Sequence, residues 1–275
     1  MTLQQLKYTA IGDVGIDIYP TIAKEFPGGM ALNSAFHATR AGAQASIISA
    51  IGTDQNAQII AQFCDTNCIS HEMLTVRDGD TDSVEIVLDE SNIPQYQNWD
   101  LGVLGQFQLN ISHESFLRSQ DVAIAVYLPE LNHLFKKFSK MTLPNTLKVG
   151  DFTDLSEHNG DQYILNEYTD CFDIFALSID EHVAERLESF SSFISSHKKM
   201  GIALLGERGS AIISDGKQYT QDAKRVKVVD TTGAGDAYLA TFLVHFLRKN
   251  PMPLCMKKAT HIASKVIKGW GATRS

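Results

Sequence analysis

The sequence predicts a doubly wound α/β fold, a mostly parallel sheet with helices on both faces, carrying a small β-rich lid. Three observations support this. Short, nearly continuous apolar runs alternate with helical patterns along most of the 275 residues. One polar stretch, from Arg77 to Gln108, breaks that rhythm. A glycine-rich turn at residues 230–236 opens a long helix near the end of the chain.

A short strand starts at residues 9–11 and ends in Gly12-Asp13. Residues 33–41 read as a helix stopped by Gly42. Residues 46–51 form a β-branched run bounded by Gly52, and residues 54–63 read as the next helix. Further strands are expected at 122–126, 147–150, 173–178, 202–205, 211–214 and 226–229. Helices are expected at 181–197, 235–248 and 254–268. Residues 84–88, inside the polar stretch, read as an antiparallel excursion rather than a βα unit. Segments of about 17–26 and 77–108 form the expected lid of one domain spanning 1–275. No internal repeat stands out.

Hydrophobic residues make up 44% and charged residues 20%, a balance that argues against intrinsic disorder. Lys+Arg is 24 against Asp+Glu 32, a formal charge of -8. An acidic chain gains no counterion-release energy on a polyphosphate, so no nucleic-acid partner is expected. A small anionic substrate stays compatible, because a site's local field outweighs net charge. No apolar run approaches the roughly 18 residues that span a bilayer. The polar residues 1–8 lead straight into a strand pattern, which argues against a signal peptide. The 4 cysteines, Cys64, Cys68, Cys171 and Cys255, make neither a metal-spaced pair of pairs nor a disulfide framework. Cys64 and Cys68 are expected on one helix. A reduced, cytoplasmic protein is the expectation.

The chemistry is concentrated in Asp230-Thr231-Thr232-Gly233-Ala234-Gly235-Asp236. A strand, a glycine-rich turn and a helix present unpaired N–H groups and a partial positive charge to one point. Such a turn holds a phosphate or a developing phosphoryl charge. Asp236 follows in the first helical turn. A carboxylate there repels a merely bound anion, but it suits proton removal from an alcohol attacking that phosphate. A plain helix start, with Asp236 favoured by the dipole, is the alternative. A dinucleotide fingerprint fails on spacing, because position 238 is Tyr. No P-loop, H-R-D catalytic loop, G-x-S-x-G elbow or H-E-x-x-H set occurs.

This turn resembles the C-terminal signature of the ribokinase-like (PfkB) carbohydrate kinases. Gly28-Gly29-Met30-Ala31-Leu32-Asn33 resembles the family's N-terminal G-G-x-x-x-N. Gly12-Asp13 through Asp17, Ile51-Gly52-Thr53-Asp54, and Ala263-Ser264-Lys265 through Gly271-Ala272 are similar to further family blocks, in the expected order. The resemblance implies a ribokinase-like fold and an ATP-dependent sugar kinase using Mg2+. It implies Asp236 as catalytic base, with Gly233, Ala234 and Gly235 as the anion hole. Asp13, Asp17, Gly28, Gly29 and Asn33 would contact the sugar. Ser178, Gly206, Glu207 and Gly209 would border the nucleotide, and Glu181 would serve magnesium. Asp230 and Thr232 would lie near a monovalent-cation (K+) loop found in part of the family. The resemblance also implies pairing of two copies through the lid.

Read alone, Asp17 also fits a strand-end turn, Asn33 a helix N-cap, and Gly206–Gly209 a hairpin turn. Ser178 and Leu204 depart from the family's usual amide and threonine. They are the features that favour an alternative, a non-catalytic sugar- or nucleotide-binding regulator on the same scaffold. Within the family the chain is similar to fructoselysine 6-kinases, through Asp17-Ile18-Tyr19-Pro20, Asp151-Phe152-Thr153-Asp154 and Ser178. Kinases of fructose, ribose, 2-keto-3-deoxygluconate or nucleosides are the other options. Tyr96, Trp99 and Tyr127 are candidates to line the sugar's outer end, or to be lid core.

Overall fold

The computed structural model describes residues 5–154 and 162–274. The first four residues of the polar N-terminal stretch lie outside the described residues.

The strands, in chain order, begin with β1 (Lys7–Ile11), β2 (Gly15–Tyr19), β3 (Lys24–Gly28), β4 (Gln44–Ile51) and β5 (Ser70–Val76). They continue with β6 (Asp82–Leu88), β7 (Pro94–Asp100), β8 (Val122–Val126), β9 (Leu147–Asp154) and β10 (Ile174–Ser178). The last are β11 (Met200–Leu204), β12 (Ser210–Ser214) and β13 (Lys217–Gln221). The helices are α1 (Met30–Arg40), α2 (Gln55–Thr66), α3 (Ile111–Leu117), α4 (Asn132–Ser139), α5 (Val183–His197), α6 (Ala234–Leu247) and α7 (Met252–Val266).

Nine strands form one sheet in the order β13-β12-β11-β10-β9-β8-β1-β4-β5. From β11 to β5 every pairing is parallel, and the two antiparallel pairings are those of β12 with β11 and with β13. Alternate residues of one strand serve opposite cores. Val122 and Ile124 pack with α1, α2, α6 and α7, whereas Ala123 and Ala125 pack with α3, α4 and α5. A strand buried on both faces reads as an unbroken apolar run, which is why 122–126 was visible in the sequence. α6 is apolar on every side because it is sandwiched between α1, α7 and the sheet; Ala237 to Val244 are all buried.

A second, four-stranded sheet has the order β3-β2-β6-β7. The excursion expected to be antiparallel is so only in part: β6 pairs antiparallel with β7 but parallel with β2. The order of the large sheet reverses at β1, with β4 on one side and β8 on the other. In open α/β sheets a crevice forms at such a switch point, beyond the carboxyl ends of the strands.

Two expectations need correction. Residues 226–229 form no strand. Val229 N–H donates at 2.8 Å to the carbonyl of Ile267, just past α7, instead of to a sheet neighbour. The three valines are only half-buried, and which partner the backbone takes is a tertiary choice that β-propensity cannot reveal. Cys68 lies past the end of α2 with φ 56°, so it does not share the helix with Cys64. Among the described residues no helix is long and apolar enough to cross a membrane.

Candidate active site

The loop after β1 and the N-termini of α1 and α6 meet at the switch point. Asp13, just past β1, caps α1: its Oδ2 accepts from Met30 N–H at 2.9 Å and its carbonyl accepts from Ala31 N–H at 3.2 Å. Asn33 lies in the first turn of α1 and Asp236 in the first turn of α6. Asn33 Nδ2 donates to Asp236 Oδ2 at 2.9 Å across the crevice. Asp17 enters from β2 in the small sheet, its carboxylate against Gly28, where any Cβ would overlap it. Gly233 sits at the N-cap of α6 with φ 72°, and its α-carbon faces the Ala272 methyl so closely that no side chain fits.

The site is rich in buried acceptors without donors. Asp13 Oδ1, Asp17 Oδ2 and Asn33 Oδ1 are buried and make no hydrogen bond. Leaving such atoms unpaired costs about 1–3 kcal/mol each, so the site is built for donors brought by a ligand. Hydroxyl groups are donors of that kind.

The carboxylates also repel one another. Burial pushes Asp236 up to about 8; the Asn33 hydrogen bond opposes this, and Asp151 and Asp13 add to it. Burial, then the charges of Asp13, Asp82, Asp230 and Asp236, hold Asp17 well above the ordinary carboxylate range. Burial and then Asp13 push Asp82 up to about 8, against a hydrogen bond from Trp99 Nε1 at 2.7 Å. Burial pushes Asp151 up to about 6. A base must be ionised to act, so an Asp236-dependent reaction has an acidic limb. We expect kcat/KM to rise about tenfold per pH unit up to about 8 and then level off. A profile flat between pH 6 and about 8 would contradict Asp236 as the base.

Asp82 and Asp151 belong to this acidic group and were not singled out as site residues from the sequence. The parallel pairing of Gly15 with Asp82 brings the first to the crevice, and the end of β9 brings the second. Asp151 was quoted only as part of a four-residue resemblance, and nothing local marked Asp82. Trp99 serves Asp82, and Tyr127 packs its ring on Phe135 and Phe152 at 5.4 and 6.3 Å. Tyr96 is 55% exposed overall, while burial of its hydroxyl and then the charges of Asp17 and Asp236 raise its phenol.

A second group lies beside the first. Ser178 ends β10 opposite Leu204. Gly206, Glu207 and Gly209 form the turn between β11 and β12, where Leu205 N–H donates to the carbonyl of Gly209 at 2.9 Å. Leu204 joins the two groups, since a Cβ on Gly235 would lie 3.4 Å from its Cδ1. Glu181 is exposed, next to Asp180, whose Oδ1 would lie 3.6 Å from a Cβ on Gly206. Asp230 and Thr232 lie under the α6 turn, where both oxygens of Asp230 already accept from protein donors.

A carboxylate at a helix N-terminus, facing unpaired acceptors, can take a proton from a bound hydroxyl, and such a terminus can receive an anion, although here Ala234 N–H already donates to the Thr231 carbonyl at 3.2 Å. A family model described as "pfkB family carbohydrate kinase" matches residues 10–124 and 172–275. Fructoselysine 6-kinase of Shigella flexneri is 29% identical over 264 residues, covering 95% of this chain and 97% of that one. A nucleoside kinase of Burkholderia thailandensis, solved with inosine, superposes with TM-score 0.80 at 18% identity, covering 97% of this chain and 92% of that one. A putative ribokinase II of E. coli, solved with ATP and Mg2+, gives TM-score 0.79 at 17% identity, covering 98% and 94%.

Proposed function

The chain belongs to the pfkB family of carbohydrate kinases, and from that premise we propose that it moves the γ-phosphoryl of ATP to a hydroxyl of a glycated amine such as fructoselysine. One observation carries the reading: Asp236, held by Asn33 at the start of α6, faces buried acceptors that lack donors. Sugar hydroxyls would donate to Asp17, Asp13 and Asn33, leaving the reacting hydroxyl on Asp236. Among the described residues, none of Asp13, Asp17, Asp82 and Asp236 is paired with a lysine or arginine. An acidic pocket favours a substrate that carries a cationic amine over a neutral sugar.

The residues present fit a nucleotide. The first-turn N–H of Gly235 would face its γ-phosphoryl, beside Ala234, whose own N–H donates to the Thr231 carbonyl at 3.2 Å, and Gly206, Glu207 and Gly209 would border the remainder beside Ser178. An open groove of about 600 Å³, lined by His182, Val183, Glu185 and Arg208, adjoins that turn and offers room for the base. Mg2+ would neutralise phosphate charge as it builds. No three described side chains group to cage an ion, which suits a cation carried largely by phosphates and water, with Glu181 at its edge. Catalysis on this plan is positioning and charge stabilisation.

The small sheet, with segments of about 17–26 and 77–108, is assigned as a lid that excludes water. Its hairpin already reaches the α6 turn, since Thr231 N–H donates to the carbonyl of Asn92 at 3.3 Å. Pairing of two copies through this sheet, and a cytoplasmic setting with ATP at hand, complete the reading.

ADP release across a panel of fructoselysine, fructose, ribose, 2-keto-3-deoxygluconate and a nucleoside tests it. We expect kcat/KM for fructoselysine to exceed that for fructose by about tenfold or more, the worth of one well-placed charged contact. Equal values would remove the amine from the recognition, and turnover of the nucleoside alone would replace the substrate class.

A further inference from the structure

The resemblance puts Asp230 and Thr232 beside a monovalent-cation loop, and the residues present do not fit that ion. Asp230 is 1% exposed. Its Oδ1 accepts from Thr232 N–H at 2.9 Å and from Thr232 Oγ1 at 2.6 Å. Its Oδ2 accepts from Tyr19 Oη at 2.7 Å and from Gly271 N–H at 2.9 Å. A carboxylate has about four lone-pair sites, and all of them are in use. Two backbone carbonyls, one in the tail and one in β3, also accept side-chain donors. Ala272 O accepts from His37 Nε2 at 3.0 Å, which makes Nε2 the protonated ring nitrogen, and Pro27 O accepts from Thr273 Oγ1 at 2.9 Å. A cation at Asp230 would have to displace Tyr19 or Gly271.

We propose that a protein latch stands where the ion would be: Tyr19 and Gly271 clamp Asp230 and so hold the phosphate-receiving turn, and the enzyme needs no monovalent cation. The inference rests on the kinase reading above. Tyr19 ends β2, the strand that carries Asp17, so one bond ties the sugar side of the site to the α6 turn. Its ring cannot swing away, because Phe26 and Trp270 pack edge-on against it, each at 5.6 Å. Trp270 immediately precedes Gly271, so the tail supplies both a wall for the ring and the second donor. Ala272 follows and seats its methyl against Gly233, the N-cap of α6. The tail, β2 and the turn are therefore one hydrogen-bonded unit. Tyr19 acts through Asp230 and touches no reacting atom; it is a positioning residue.

The test has two arms. First, wild-type protein freed of alkali ions is compared in potassium chloride and in tetramethylammonium chloride at equal ionic strength. Melting temperatures should coincide at every concentration and kcat should agree within about twofold, because an ion bound only to the folded state would raise stability with its concentration. A potassium-dependent rise in melting temperature, with stimulation of kcat, would overturn the latch. Second, Tyr19→Phe keeps the ring and removes one donor. Its kcat should fall about tenfold, with KM for ATP and sugar within about threefold, at temperatures where circular dichroism shows it folded. Full kcat in a folded Tyr19→Phe would also overturn the proposal. The melting arm needs no turnover, so failure of the substrate assignment and failure of the latch are read separately.

Discussion

Asp236→Asn gives a folded protein whose kcat is lower by roughly two to four decades. The carboxamide keeps the shape and can still accept from Asn33 Nδ2, so the bridge between α1 and α6 survives. It cannot take a proton. The same variant should be more stable than wild type near pH 8. A buried carboxyl raised from 3.8 to about 8 binds its proton more tightly folded than unfolded. Its contribution to stability therefore falls as pH climbs from about 4 to about 8, and the neutral amide escapes that loss. Melting curves at pH 5 and pH 8 should show the stabilising difference growing with pH. Near-wild-type turnover would sink the assignment, and a variant uniformly less stable would contradict the electrostatic account of the pocket.

Gly235→Val should reduce phosphoryl transfer by at least about a hundredfold while the protein still folds. Gly235 has an ordinary backbone conformation, and the nearest protein atom to an added Cβ is Leu204 Cδ1 at 3.4 Å. A Cβ there is just accommodated, and the branched methyls beyond it would crowd the space in front of the turn, where we propose the anion sits. Gly233→Ala is the contrast: its φ of 72° and the facing Ala272 methyl make it a folding lesion. Steady-state kinetics beside melting curves separate the two. An active Gly235→Val would mean that the phosphoryl group does not approach this turn.

The order of buried strands and the two glycine motifs were legible because each is a local pattern. Parallel strands such as β8 are apolar throughout, and the turns at Gly28-Gly29 and Gly233–Gly235 advertise themselves by composition. What was not legible depends on long-range pairing. Asp82 reaches the crevice only because β6 pairs in parallel with β2. Gly271 and Tyr19 meet at Asp230 across 41 and 211 positions of chain. Residues 226–229 are a β-branched run, but Val229 N–H bonds to the carbonyl of Ile267 rather than to a neighbouring strand, a long-range choice the run does not encode. An anion site at this turn would not need that strand; the αL residue at Gly233 and the half-buried start of α6 at Ala234 and Gly235 would suffice.

These features give one picture of the site. Carboxylates are grouped, short of donors and at raised pKa, an arrangement that costs stability and that the proposed polyhydroxylated cation would relieve. The most direct test is single-turnover ADP release with saturating Mg·ATP and fructoselysine, wild type beside Asp236→Asn, with the phosphorylated product identified. The account predicts a sugar-phosphate burst in wild type that is lost or slowed by roughly two or more decades in the variant. Equal bursts from the two proteins would contradict it.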